Sequence, residues 1–230
     1  DADCRPTPTW IEELIQPFHD PSVGLVAGEI KALPGQTWLE DHAEQQETLS
    51  QQHTLAHPFR PYGQTANLAV RRSQLHATGL FRPALTTGGD ADFCWRILAD
   101  PTVKLEFADT AIVRHRHRAT WPELMSQWRR YGTSNRYLHD LHGVPLMQPL
   151  PLPDQIRGWA RWALKELPRG TVQAMTGQRT IAAALGTPIA WFCNRARLSG
   201  QAQAVLPDAA RAIAWLDSQP EVASDPTPFD

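Results

Sequence analysis

The chain has 230 residues, of which 42% are hydrophobic and 20% charged, enough for a packed core and against global disorder. A formal net charge of −2 supplies no basic footprint, so no nucleic-acid partner is expected. Cys4, Cys94 and Cys193 are odd in number and widely spaced, which reads as a reducing, cytoplasmic setting without a disulfide framework; there is no secretory leader pattern and no apolar run of the ~18 residues a membrane span needs.

Residues 9 to 18 read as a helix, with Trp10, Ile11, Leu14, Ile15 and Phe18 on one face, a Thr9–Glu12 capping box, and Pro17 limiting its length. The run Val23 to Gly28 reads as a strand buried on both faces. Residues 37 to 56, rich in Glu and Gln, suggest a mostly exposed helix. Ala66 to Val70 reads as a strand, followed by a short helix from Ser73 to Thr78 and another from Asp90 to Leu98. Val103 to Phe107 and Ala111 to Val113 are two further expected strands. Thr120 and Glu123 form a second capping box, opening a long helix to about His139. A proline-rich linker (143–153) then separates residues 1–142 from a helical extension (154–218), with helices expected over 154–167, 179–198 and 206–217, and the tail 219–230 is expected to be disordered.

Several blocks carry chemistry. Asp1 and Asp3 place two carboxylates one residue apart, which can face the same way at a strand end and suit a hard divalent cation; two solvated acids at a terminus are the plain alternative. Gly88-Gly89-Asp90-Ala91-Asp92 brings carboxylates to a helix start, where they serve either as helix caps or as a base for proton transfer. His115 follows an apolar strand, with Arg116, His117 and Arg118 adding positive charge suited to a diphosphate. Gln127, Arg130 and Tyr131 fall at i, i+3 and i+4 of the long helix and share one face.

These four blocks, in this order, resemble the second half of an inverting family 2 glycosyltransferase with a GT-A fold. The resemblance covers residues 1 to about 140. It implies an α/β, GT-A-like domain that begins at its D-x-D motif and lacks the N-terminal strands that bind the nucleotide; the start at Asp1 rather than Met fits a fragment of a longer protein. It also implies a Mg²⁺ or Mn²⁺ cofactor held by Asp1, Asp3 and His115, with His117 as the competing histidine. By the same resemblance Asp90 is the catalytic base and Asp92 a supporting residue, although Gly89 stands where the family pattern has Glu. Trp95 and Arg96 match the residues that follow. Gln127-x-x-Arg130-Tyr131 resembles the Q-x-x-R-W signature, with Tyr in place of Trp. The block Gly63 to Arg72 resembles a G-x-N-x-A-x-R-R segment, which adds Asn67 and Arg71 to the residues expected at the donor or acceptor.

The expected reaction is transfer of a sugar from a nucleotide-diphosphate sugar to a hydroxyl of a glycan, lipid or small molecule, with inversion. Peripheral membrane association is left open. A nucleotidyltransferase is the rival enzyme class, disfavoured by the Gln127–Tyr131 block. An inactive fragment acting as an interaction module is the rival outside enzymes.

Overall fold

The computed structural model describes residues 3–175 and 184–216. Asp1, the beginning of the expected 179–198 helix and the expected tail lie outside them. Four strands form one mixed sheet in the order β1-β4-β2-β3: β1 (Cys4–Pro6), β2 (Val23–Ala32), β3 (Leu68–Val70) and β4 (Lys104–His115). β2 runs parallel to β4, and the two outer strands are antiparallel to their neighbours. β2 is buried from Val23 to Ile30, which is why its sequence is a continuous apolar run instead of an alternating one. Helix α1 (Trp10–Ile15) covers one face through Leu14, which packs on Val23, Val26, Ala108 and Ala111. Helix α5 (Gly89–Ile97) covers the other through Phe93, Cys94 and Ile97, which pack on Leu25.

The two strands expected over 103–107 and 111–113 are one strand with a bulge. Gly28 pairs with Ala108 and Ile30 with Val113, so β4 uses residues 109–112 where β2 uses Glu29 alone. A bulge strands backbone carbonyls, and Asn67 meets them. Its Nδ2 donates to Glu29 O at 2.9 Å and Ala111 O at 2.7 Å, while its Oδ1 accepts from Trp10 Nε1 at 2.8 Å. A side chain on Gly28 would overlap the Asn67 amide. Asn67 is 1% exposed and its amide is fully engaged, so it belongs to the framework and not to a ligand-contacting surface. Arg71 is corrected in the same way. Its guanidinium donates to the carbonyls of Val23, Phe18 and Asp20 and lies over the Phe18 ring, tying β3 to the start of β2.

Local differences from the sequence reading have tertiary causes. The Thr9 side chain makes no cap, and α1 passes at Pro17 into a 3-10 turn, Gln16–His19. The expected 37–56 helix is two helices, α2 (Trp38–Gln45) and α3 (Gln51–Leu55), broken near Glu47, whose φ is 48°. The buried Glu29 carboxylate accepts from Ser50 Oγ and Gln51 N, pinning the start of α3 to the sheet. Glu40 is also buried, as the acidic partner of a Thr37–Glu40 capping box. The short helix α4 (Arg72–Thr78) follows β3 as expected. Helix α6 (Trp121–His142) has the Thr120–Glu123 capping box read from the sequence and ends at Gly143 in the left-handed region.

After α6 the chain continues through α7 (Leu152–Arg161), a π turn (Trp162–Glu166), α8 (Leu167–Met175) and α9 (Gly186–Gln203). In place of the helix expected over 206–217, the described residues include a 3-10 turn at Asp208–Arg211. That segment instead packs Leu206 and Ala210 against Leu85 and Tyr137, and Leu80 N donates to Ala214 O. Helices α6 and α9 share a core of Leu124, Met125, Ile189, Cys193 and Ala196, closed by Leu39 of α2. Their backbones meet at two glycines: a methyl on Gly132 would overlap the carbonyl of Arg197, and one on Gly200 the carbonyl of Arg129.

This crossing separates two kinds of helical glycine. Gly132→Ala or Gly200→Ala should destabilise the chain by about 1–3 kcal/mol through overpacking. Gly158→Ala, in α7 with nothing near its would-be Cβ, should stabilise it by up to about 1 kcal/mol through helix propensity. Urea denaturation of the three variants checks both signs.

Candidate active site

The site is organised by the first turn of α5. Gly88 sits before it with a φ of 75°, a left-handed conformation that turns the chain into the helix. Asp90 and Asp92 are two positions apart, so their side chains leave the helix about 200° from each other. Asp92 points inward and is fully buried. Its carboxylate receives Arg82 Nε at 2.9 Å, Arg96 Nε at 3.0 Å and His142 Nε2 at 2.9 Å. Burial alone would raise its pKa, but hydrogen bonds from His142 and Arg82 and the charges of Arg96 and Arg82 hold it down at about 2. Arg96 also donates to the carbonyls of Thr78 and Leu80. Trp95 is 2% exposed; its Nε1 donates to Arg60 O, and its ring packs on Phe59, Tyr62 and His142. The structure thus engages Trp95 and Arg96, expected at the donor or acceptor, and Asp92, expected as a supporting residue of the catalytic base, in the framework around α5.

Asp90 faces the opposite way, into a hollow of about 450 Å³ between α5, α6 and α9. Tyr62, Arg130, Tyr131, Ser134 and Arg197 are among its walls, and Asp90 is its one carboxylate among the described residues. Burial pushes the Asp90 carboxyl above its ordinary range, against the backbone hydrogen bond from Ala91 N.

Asp3 and His115 lie at a second hollow of about 670 Å³, shared with Arg118, Gln127, Arg130 and Tyr131. β1 and β4 bring the pair together, because Cys4 registers opposite His115. Asp3 Oδ2 is 3.4 Å from His115 Nε2, and with Cys4 Sγ the three ligand atoms lie within 4.8 Å of one another. His115 Nδ1 is buried with no hydrogen-bond partner. His117, the competing histidine, lines a different hollow beside Glu29, Glu44 and Asp109. Arg130 and Tyr131 line both the Asp90 and the Asp3–His115 hollows, so the two are neighbours on the α6 face that carries Gln127. The Tyr131 hydroxyl is raised by burial, and its proton also responds to Arg130 and Arg118 on one side and Asp90 on the other.

A sequence profile described as glycosyl transferase family group 2 matches residues 1–201. The chain belongs to that family. It is also 29% identical over 139 residues to proteins named pre-mycofactocin glycosyltransferase from two strains of Mycobacterium tuberculosis, CDC 1551 and H37Rv. The match covers 58% of this chain and 29% of the length of each relative. Among the described residues no helix is long and apolar enough to cross a membrane.

The family match runs across the proline-rich segment and includes Arg197 of α9. Sequence reasoning missed Arg197, Tyr62 and Asn135 as parts of the site. Arg197 has no motif around it, and it reaches Asp90's hollow only because α9 folds back over α6.

The two α5 carboxylates make opposite stability predictions. The raised pKa of Asp90 means that its ionisation opposes folding, so stability is lost as pH rises from the unfolded value of about 3.9 through the folded one. Asp90→Asn should therefore raise Tm at pH 7. The lowered pKa of Asp92 contributes stability that is present above about pH 4 and lost as pH falls towards 2. Asp92→Asn should cost about 3–5 kcal/mol at pH 7 by leaving Arg82 and Arg96 without their counter-charge and His142 without its carboxylate partner. Thermal and urea melts of both variants at pH 7 check the signs.

Proposed function

We propose that this chain carries the reacting centre of a glycosyltransferase that moves a sugar from a nucleotide-diphosphate donor to an acceptor hydroxyl with inversion. The observation that carries the reading is the placement of Asp90, a half-buried carboxylate without a counter-charge among the described residues, near the Asp3–His115 pair across Arg130 and Tyr131. Family membership supports the reaction class. The GT-A architecture and the inverting outcome rest on the sequence resemblance.

In this mechanism Asp90 accepts the proton of the acceptor hydroxyl. The freed oxygen attacks the anomeric carbon from the face opposite the leaving group. The bond from that carbon to the diphosphate oxygen breaks, and the departing negative charge lies toward Arg118 and Arg130. Asp90's raised pKa makes it a stronger base than an exposed carboxylate once ionised. Tyr131 lines both hollows, beside the Asp90 end and the Asp3–His115 end alike.

Asp3 and His115 fit a divalent cation. They offer a hard carboxylate oxygen and an imidazole, and His115 Nδ1 is buried without a hydrogen-bond partner among the described residues. Mg²⁺ or Mn²⁺ bound there, with Asp1 as a further ligand, would neutralise charge on the leaving nucleoside diphosphate. The mixed oxygen and nitrogen set favours Mn²⁺ of the two.

Asp90→Asn should lower turnover about 10²–10⁴-fold while leaving donor affinity unchanged. For the wild-type chain, the acid limb of kcat/KM should fall above the ordinary carboxylate range, because Asp90 must be ionised to act. Release of nucleoside diphosphate, followed across pH, measures both. Full turnover in Asp90→Asn would place the base elsewhere.

A further inference from the structure

Among the described residues, three other arginines that reach inward are neutralised or saturated. Arg82 and Arg96 share the carboxylate of Asp92, and Arg71 donates to three carbonyls. Arg197 differs. It forms no ion pair within 4.0 Å among the described residues, its Nε is buried without a hydrogen-bond partner, and its Nη2 donates to the neutral Asn135 Oδ1 at 2.8 Å. The guanidinium lies 6.0 Å from the centre of the Trp128 ring, a weak form of compensation. A sequestered cation without a counter-anion is costly, and its backbone is held in place by the Gly132 contact. Burial is the main influence on its charge, and the ionisable groups that interact with it are the hydroxyls of Tyr62 and Tyr131 and the imidazole of His57.

The position of Arg197 says which ligand would supply the missing charge. It lines the hollow of Asp90 but not that of Asp3 and His115. It also lines a third hollow, of about 750 Å³, which opens between α2, α6 and α9 and shares Thr48 and His53 with the first. The carboxylate on that route, Glu166, is already paired with Arg161 at 2.9 Å. Space thus runs from Asp90 past Arg197 and outward along α9, away from the end assigned to the diphosphate. We propose that Arg197 is an anion-recognition residue for the acceptor, and that the acceptor carries a carboxylate or phosphate group beside its reacting hydroxyl. The inference rests on the transferase reading for the word acceptor; the anion site itself is read by binding, without turnover.

The test uses the full chain. Glucose 6-phosphate and glucuronate are titrated by calorimetry against neutral glucose, and the donor end is read separately with uridine diphosphate and Mn²⁺. One of the charged sugars should bind about 10–100-fold more tightly than glucose, the range of a charge-assisted hydrogen-bond pair. Preference for the phosphate or for the carboxylate then identifies the anion. Arg197→Gln should remove the advantage, Arg197→Lys should restore part of it, and uridine diphosphate binding should be unchanged in both. Because α9 is closely packed, a variant-free readout accompanies these: phenylglyoxal modification of wild-type Arg197, mapped by peptide mass spectrometry, should be slowed severalfold by the preferred sugar. Equal binding of neutral and charged sugars, no binding or protection by either charged sugar, or an Arg197→Gln loss falling on uridine diphosphate would each overturn the proposal. Asp90→Asn should keep the charged-sugar affinity. If it also keeps full turnover, the base assignment fails while the anion site stands.

Discussion

Two guanidiniums and an imidazole converge on the buried carboxylate of Asp92, and the geometry of the cleft follows from that convergence. Arg82 comes from the loop after α4, Arg96 from the next turn of α5, and His142 from the last turn of α6. Removed from water, a carboxylate is tolerable only with such partners. The cluster therefore fixes the depth and rotation of α5 against the end of α6. Once that rotation is set, helix geometry leaves Asp90 no direction but the opposite one. One helix turn thus holds two aspartates whose environments drive their pKa values apart, one lowered by partners and one raised by burial.

The parts of the fold legible in the sequence are those whose cause is local. The apolar run of β2, the capping box and length of α6, and the glycine turn into α5 all state their structure within a few residues. The parts that were not legible depend on contacts across long separations. The β4 bulge is hidden because its supporting amide, Asn67, lies 44 residues away from Ala111. The break between α2 and α3 reflects the buried carboxylate of Glu29, 21 residues before Ser50. The same limit applies at the site. Motif order placed Asp3, Asp90, His115, Gln127, Arg130 and Tyr131 together as expectations, and the structure sets them around two neighbouring hollows. Motif order could not separate residues that face the cleft from residues that shape it. Asn67, Arg71, Asp92, Trp95 and Arg96 belong to the second group because backbone carbonyls and buried charges engage them.

Charge is distributed unevenly along the cleft. Arg118 and Arg130 lie toward Asp3 and His115, and Arg197 toward Asp90 and the route along α9. Attraction for anions is therefore available at both ends, while the middle is occupied by the rings of Tyr62 and Tyr131. An acid placed between fixed positive ends keeps its own proton chemistry because none of the guanidiniums closes on it within ion-pair distance.

The contact between Gly132 and Gly200 has a bearing on how such a chain can diversify. Two helices that meet backbone to backbone are positioned there by the absence of side chains, and the positions of α9 outside that crossing and outside the Ile189, Cys193 and Ala196 core are released from that duty. The surface of α9 can be re-dressed without the helix being re-docked. On the proposed roles of Asp90 and Arg197, chemistry on α5 and recognition on α9 would then drift under separate rules, and a new acceptor would become accessible through substitutions that never touch the machinery of bond exchange.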